Sequence, residues 1–334
     1  MHKIAIVILN YNGYSYLEKF IPSFLKFSEG HPIYVVDNAS IDDSLSLLKE
    51  RFPSVNLISH TRNLGFTGGY NEALKQIEAQ YYAIVNSDIE VTDGWLGPHI
   101  EFLDNHNDYA GTQPKIKNFQ ERAYFEYAGA AGGYIDRFGY PYCRGRLFNQ
   151  LEEDKGQYDT TIDVSWTSGA CMIINASAFN QVGGFDTDFF AHMEEIDLCW
   201  RLANQGYRMA CIPESTVYHV GGGTLSSSNP FKTYLNFRNG LAILVKNLPY
   251  SQFWKIPTRI ALDWLAFLKF LLEGNGVHSI SILKAHFAFL KDLFKNLNKR
   301  SSQSTVNNKK AFLSRMSIVW LFYVRKRLSF DKLQ

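Results

Sequence analysis

The sequence predicts an α/β protein: a Rossmann-like, mostly parallel sheet flanked by helices, with a helical extension at its C-terminal end. Three observations carry this. Short apolar runs alternate with helix-length segments through residues 3–91, the pattern of βαβ units. Those runs are apolar throughout rather than alternating, as strands covered on both faces are. From residue 231 the pattern turns helical, aromatic and basic, which divides the chain into 1–228 and 229–334.

Residues 3–9, KIAIVIL, read as the first strand, closed by the turn signal NYNG. A helix over about 16–27 follows, then a strand at 33–36 ending on Asp37. Asp42 or Asp43 can start the next helix, which runs to about Arg51. NLISH at 56–60 is a third strand, TRNLGFTGGYN a loop, and 71–78 a helix. The fourth strand, YYAIVNSDIEV, contains Asn86-Ser87-Asp88. In such sheets the ligand crevice lies at the carboxyl ends of the strands, where Asp37 and Asp88 both fall. Beyond residue 110, AGAAGGYIDRFGYPYCRGR reads as a loop or hairpin region over that crevice. DVSWTSGACMIIN reads as a strand, 176–182 as a helix and GGFD as a turn. Residues 207–212 and 216–220 read as two further strands, with His219 near an edge. GGGTLSSSNP and KRSSQSTVNNKK (299–310) read as a flexible segment and an exposed linker.

The net charge of +2 hides an asymmetry: residues 1–230 hold 16 Lys/Arg against 28 Asp/Glu, and 231–334 hold 18 against 4, so −12 and +14. Asp263, Lys269, Lys284 and Lys291 interrupt the apolar segments 259–272 and 279–294. These and 316–324 fall short of the roughly 18 uninterrupted apolar residues of a membrane span. Basic, aromatic amphipathic helices suit peripheral contact with an anionic membrane surface; simple packing on the preceding domain is the competing reading. No nucleic-acid partner is expected. Cys143, Cys171, Cys199 and Cys211 form no CxxC pair and no secretory signal is recognised, so reduced thiols in a cytoplasmic protein are expected.

Chemistry concentrates at 189–201, FFAHMEEIDLCWR, where three carboxylates, a histidine and an arginine meet at a helix start. Pairing like charges raises a carboxyl pKa, as acid/base catalysis requires; acids favoured by the helix dipole are the alternative. A dinucleotide site would want GxGxxG after the first strand. Here that turn is NYNG, and GFTGG at 65–69 follows the third strand.

Seven stretches stand in order: ILNYNG (8–13), VVDNASID (35–42), RNLGFTGGYN (62–71), VNSDIEV (85–91), WTSGACMI (166–173), GGFDTDFFAHMEEIDLCWR (183–201) and YHVGGGT (218–224). Together they resemble glycosyltransferase family 2, the inverting nucleotide-sugar transferases of the GT-A fold, and particularly its rhamnosyltransferase-like members, over residues 3–225. The resemblance implies that 1–228 is a GT-A catalytic domain. It places Asn10, Tyr11, Asn12, Asp37, Arg62, Asn63, Gly69, Asn71 and Asn86 against the nucleotide-sugar, with Tyr11 stacking on the base and Asp37 accepting from it. Gly68 joins Gly69 in letting backbone approach. Asp88 holds a divalent cation, Mg²⁺ or Mn²⁺, in a site His219 completes; Asn86 replaces the first acid of the family's Asp-x-Asp. Glu195 is the general base, with Glu194 and Asp197 in the same catalytic group. Trp166, Ser168, Gly169 and Arg201 serve sugar and acceptor, Arg201 and Asp197 being also i, i+4 neighbours able to pair.

The activity so implied moves a sugar, rhamnose or another hexose, from a UDP- or dTDP-sugar to a cell-envelope glycan or lipid-linked acceptor, at the inner face of the cytoplasmic membrane. QxxRW is not found after the base motif, so one sugar per encounter is expected. Two rival readings are a nucleotide-sugar-binding protein without catalysis and a nucleotidyltransferase on a related sheet. The latter would want a glycine-rich, basic triphosphate loop after the first strand.

Overall fold

The computed structural model describes residues 1–221, 229–300 and 312–333. Most of the predicted flexible segment and linker, and the boundary at residue 228, lie outside the described residues.

The chain begins with β1 (His2–Asn10), α1 (Tyr14–Phe27), β2 (Ile33–Asp37), α2 (Ser44–Arg51), β3 (Asn56–Ser59), α3 (Gly65–Leu74) and β4 (Ala79–Asn86). β1 to β4 pair in parallel in the order β3-β2-β1-β4, so their carboxyl ends share one edge. α1 buries Leu17, Phe20, Ile21 and Phe24 at the i, i+3, i+4, i+7 spacing of a core-facing helix.

α3 starts earlier than its sequence suggests, because glycines normally count against helix. Close packing decides otherwise: a Cβ on Gly69 would come within 2.7 Å of Leu9 Cδ1, and one on Gly65, at φ +71, within 2.6 Å of the Phe190 ring. The glycines let the helix lie directly on β1 and on the loop before the base motif.

The next elements are β5 (Ile89–Val91), α4 (Gly97–Asn105) and β6 (Tyr109–Asn118). A separate small sheet follows, built from β7 (Gly133–Ile135), β8 (Pro141–Cys143), β9 (Arg146–Leu147) and β10 (Gln150–Leu151). The strand predicted near 163–175 is two, β11 (Ile162–Val164) and β12 (Cys171–Asn175), parted at Trp166-Thr167-Ser168-Gly169. After α5 (Ala176–Gln181) and α6 (Glu194–Asn204), the two predicted late strands form one, β13 (Arg208–His219), with a register shift between Ile212 and Thr216. β12 runs antiparallel to both β4 and β6, and β13 runs parallel to β6. The whole sheet is therefore mixed: parallel in its first half, with reversed strands beyond β4.

The extension comprises α7 (Pro230–Asn247), α8 (Lys255–Leu272), α9 (Gly276–Lys291) and α10 (Leu293–Asn298), then a π-helical turn at Trp320–Val324. α7 is core: its Ala242, Ile243 and Leu244 join the same buried cluster as Val7, Ile84 and Met172 of the sheet. α8 is anchored by Arg259, which pairs with Asp263 and donates to Gly139 O at 2.9 Å. Among the described residues no helix is long and apolar enough to cross a membrane. All four cysteines are free and buried.

Candidate active site

At the shared strand edge, Asn10 closes β1 opposite Asp37 of β2. Asn10 Nδ2 donates to Asp37 Oδ1 at 3.2 Å and to Ser40 Oγ at 3.1 Å, while Asp37 Oδ2 accepts from the Ser40 N–H at 3.0 Å. Asp37 is enclosed, and Tyr11 beside it is 44% exposed. Asn12, at φ 52, accepts from the Ile41 N–H through its Oδ1 and so ties the two strand-end turns together. Arg62 and Asn63 are exposed on the loop after β3, and Asn86 closes β4 half-buried. The edge thus presents an aromatic ring, a guanidinium and amides around a sunken carboxylate.

Strand pairing brings Asp88 to His219. β5 runs antiparallel to the end of β13 with Ile89 opposite His219, so the preceding residue meets the ring. Asp88 Oδ1 lies 3.1 Å from His219 Nε2, and Glu126 Oε2 lies 3.1 Å from Nδ1. All three groups are buried. Burial alone would lower the His219 pKa, but Glu126 and Asp88 raise it to about 10. Burial pushes both carboxyls up, yet His219 holds each below its ordinary value. Glu126 escaped the sequence reading because it sits in an irregular stretch, where a bridge between Lys117 and Phe125 and a bond from its N–H to Ile116 O at 3.1 Å place it.

These residues fit a small hard cation. Asp88 and His219 would hold it, the carboxylate as a hard oxygen donor and Nε2 once its proton, now shared with Asp88 Oδ1, is displaced. Glu126 is then the carboxylate that fixes the ring through its other nitrogen. Among the described residues no group of three His, Cys, Asp or Glu is arranged to hold a metal ion.

The base motif is held by unusual backbone. Phe190, His192 and Met193 all have positive φ (64, 66 and 72), a cost that only surrounding contacts can offset. Asn239 of α7 supplies them: its Nδ2 donates to the carbonyls of Phe189, Ala191 and His192 at 3.2, 3.0 and 2.7 Å. The Phe66 N–H adds a bond to Phe190 O at 2.9 Å. α6 then opens with Glu194 and Glu195. Burial raises both, Glu195 to about 7, and Glu194 is pushed up by repulsion from Glu195 as well. Each has an Oε2 with no hydrogen-bond partner. Glu195 is the more exposed of the two. Burial thus holds both carboxyls above their ordinary range, and Glu195 gains its charge around neutral pH, with an oxygen free to take a proton.

Several of the predicted site residues are held by contacts within the protein. Asp197 is fully buried; its oxygens accept from Arg201 at 2.7 Å, Lys246 at 2.8 Å and Asn247 at 3.0 Å. Arg201 also donates to the carbonyls of Val182 and Gly184, bracing the GGFD turn. Asn71 exchanges bonds with both backbone groups of Phe185, at 2.7 and 3.0 Å. Gly69 serves helix-on-strand packing rather than ligand approach. Trp166 is buried under Gly133 and donates to Tyr134 O at 2.9 Å; Ser168 bonds Ala128 O and the Ala170 N–H. Of that stretch only Gly169 borders the base, where an added Cβ would lie 3.7 Å from Glu195 Cβ and 3.9 Å from Glu194 Oε1.

Comparison with known proteins decides the family: the description "Glycosyl transferase family 2" matches residues 5–183, more than half of the chain. The chain belongs to glycosyl transferase family 2. It is a glycosyltransferase whose curated relatives include rhamnosyltransferases. N-acetylglucosaminyl-diphospho-decaprenol L-rhamnosyltransferase of Mycobacterium tuberculosis is 24% identical over 275 residues, covering 78% of this chain and 89% of the relative. Rhamnosyltransferase WbbL of Escherichia coli is 24% identical over 225 residues, covering 65% and 83%. In fold, the glycosyltransferase is similar to the mannosyltransferase PcManGT of Pyrobaculum calidifontis, solved with GDP-Man and Mn²⁺. The TM-score is 0.54 at 13% identity, over 87% of each chain.

Proposed function

We propose that this enzyme transfers one sugar per encounter, with inversion, from a UDP- or dTDP-sugar to a cell-envelope glycan or lipid-linked acceptor. The observation that carries the reading is the Glu194-Glu195 pair at the start of α6, each with an Oε2 that has no hydrogen-bond partner. Glu195 takes the proton of the acceptor hydroxyl. That oxygen attacks the anomeric carbon from the face opposite the diphosphate; the new carbon–oxygen bond forms as the bond to the β-phosphate oxygen breaks, and its electron pair leaves with the nucleoside diphosphate. Tyr11 stacks on the base, and Asp37 at the sunken end of the site suits the imide N–H of uracil or thymine. Asp88 and His219 would hold Mg²⁺ or Mn²⁺, which offsets charge gathering on the leaving diphosphate. The relatives' names favour rhamnose, or a related hexose, as the transferred group.

The enzyme works, on this reading, at the inner face of the cytoplasmic membrane. Trp264, Leu265, Leu268 and Leu272 leave an apolar stripe exposed on α8, and Phe287, Leu290 and Phe294 another on α9 and α10. Lysines 269, 284 and 291 interleave them, the composition of a surface-lying helix. Proton NMR of product formed from a panel of UDP- and dTDP-sugars is the test of chemistry. The expected product has the anomeric configuration opposite to the donor's, and chelation by EDTA lowers the rate by about 100-fold or more, with recovery on adding Mg²⁺ or Mn²⁺. Retained configuration, or full activity in EDTA, contradicts the reading.

A further inference from the structure

The acidic and basic parts of the chain meet beside the base motif. Asp186 and Asp188 belong to the 3-10 turn at Thr187–Phe189, directly before the loop whose positive-φ residues lead into α6. Their cationic partners all come from the basic part, beyond residue 230. Lys246 of α7 lies 2.7 Å from Asp186 Oδ2 and 2.8 Å from Asp197 Oδ1. One buried ammonium thus ties the turn before the base loop to the helix after it. Arg238 of α7 adds bonds to the carbonyls of Asp188 and Phe189 at 3.0 and 3.2 Å.

Outside this inner tie lies a second one, from α10. Lys299 reaches both Asp186 Oδ1 and Asp188 Oδ2, and Lys295, one helical turn earlier on the same face, lies 2.7 Å from Asp188 Oδ2. Asp186 and Asp188 repel one another, so the ammonium that both share is what lets them sit in one tight turn. Burial alone would raise the Asp186 carboxyl; Lys246 and Lys299 hold it well below the ordinary carboxylate range. The bond from the Asp188 N–H to Asp186 Oδ1, at 3.1 Å, shapes the turn without attaching it to the extension. The two ties differ in exposure: Lys246 is buried, whereas the side chains of Lys295 and Lys299 are 57% and 30% exposed. Losing the buried cation would leave two carboxylates uncompensated, while exposed pairs add little to global stability. The outer tie is therefore the one that can be removed without unfolding the protein.

We propose that Lys295 and Lys299 are positioning residues for the transfer: by clamping the 186–188 turn to α10 they hold the 190–193 loop in the arrangement that presents Glu195 to the acceptor. The proposal rests on the reading of Glu195 as the base. Positive φ at Phe190, His192 and Met193 is a strain that flanking contacts must offset. Asn239 holds the loop's own carbonyls, and the two lysines hold its entry. The last helix of the extension thus acts on the chemistry from a distance, a role that contact with a membrane surface does not by itself require.

A double-mutant cycle in the full chain tests this, read by steady-state and single-turnover transfer together with a thermal melt. Lys295→Met combined with Lys299→Met should lower kcat about tenfold, as a displaced catalytic group does, with donor KM within about twofold. The melting temperature should fall by no more than about 4 °C. Lys299→Arg, whose guanidinium can still meet both carboxylates, should keep kcat within about twofold of wild type. On a Glu195→Gln background the paired Met substitutions should leave the residual rate within about twofold, because groups that act through one another are not additive. Full kcat in the paired Met variant overturns the proposal and leaves the base assignment standing. So does an equal fold loss on both backgrounds, which would mean that the lysines act elsewhere than through Glu195, or a Lys299→Arg enzyme as slow as the paired Met variant. Transfer at wild-type rate by Glu195→Gln alone overturns the base assignment and the proposal with it, an outcome distinct from the first.

Discussion

Glu195 is the residue on which the chemistry turns, and its environment makes a pH prediction. Its carboxyl is lifted to about 7 by burial, against an ordinary value near 4.5, so the basic form is scarce in acid. kcat/KM should climb about tenfold per pH unit below 7 and level off above it, read from a rate profile at saturating metal. The same shift has a stability sign. A carboxyl with a raised folded pKa favours the folded state at low pH, and this contribution is lost as pH rises through 4.5 to 7. Removing the charge with Glu195→Gln should therefore raise the melting temperature relative to wild type more at pH 8 than at pH 5. At this scale the sequence was partly legible. Clustered acids singled out Glu194 and Glu195 as candidates, and strand ends singled out Asp37 and Asp88. The Asp197–Arg201 pair expected from their i, i+4 spacing forms, whereas the protein partners of Asn71, Trp166 and Ser168 were not legible, because a polar or aromatic side chain in a motif can equally face inward and only tertiary contacts decide which. Glu126 was invisible for the complementary reason: its partner His219 is distant in sequence.

Among the elements, the 189–193 loop and α7 form one device. Three residues with positive φ turn the chain so that α6 starts with its glutamates at the cleft, and Asn239 holds three of the loop's carbonyls. Asn239→Ala should lower stability by about 1–3 kcal/mol, the cost of leaving buried polar groups unpaired. kcat should fall at least about tenfold while KM for the donor changes little, since only the base is displaced. Steady-state kinetics with a thermal melt check both, and an equal loss in kcat and KM would point to general unfolding instead. The strand and helix alternation of residues 2–86 was legible because buried parallel strands are continuous apolar runs. α3 was not, since Gly65, Gly68 and Gly69 argue against a helix locally, while Gly65 and Gly69 are required by its close approach to Phe190 and Leu9. The single β13 was read as two strands because the irregularity at Ile212–Thr216 interrupts its pattern without ending it.

The whole molecule joins an acidic N-terminal part to a basic C-terminal part, and these are not separable in the core: α7 packs with the sheet while α8, α9 and α10 leave apolar faces exposed. The sequence reading held core packing and membrane contact as competitors; α7 packs in the core, and the exposed faces of α8 to α10 carry the proposed membrane contact. Vesicles of phosphatidylglycerol should pellet the enzyme, vesicles of phosphatidylcholine much less, and about 1 M salt should release a large share of it. Equal partitioning onto both would remove charge from the account. The central claim remains that Glu195 performs the proton transfer in a site otherwise built to hold a nucleotide-sugar. Its most direct test is the Glu195→Gln enzyme, assayed for single-turnover transfer and, in the same preparation, for UDP and dTDP affinity. Transfer reduced by about 100-fold or more with nucleotide affinity within about twofold is the predicted result; transfer at wild-type rate would contradict it.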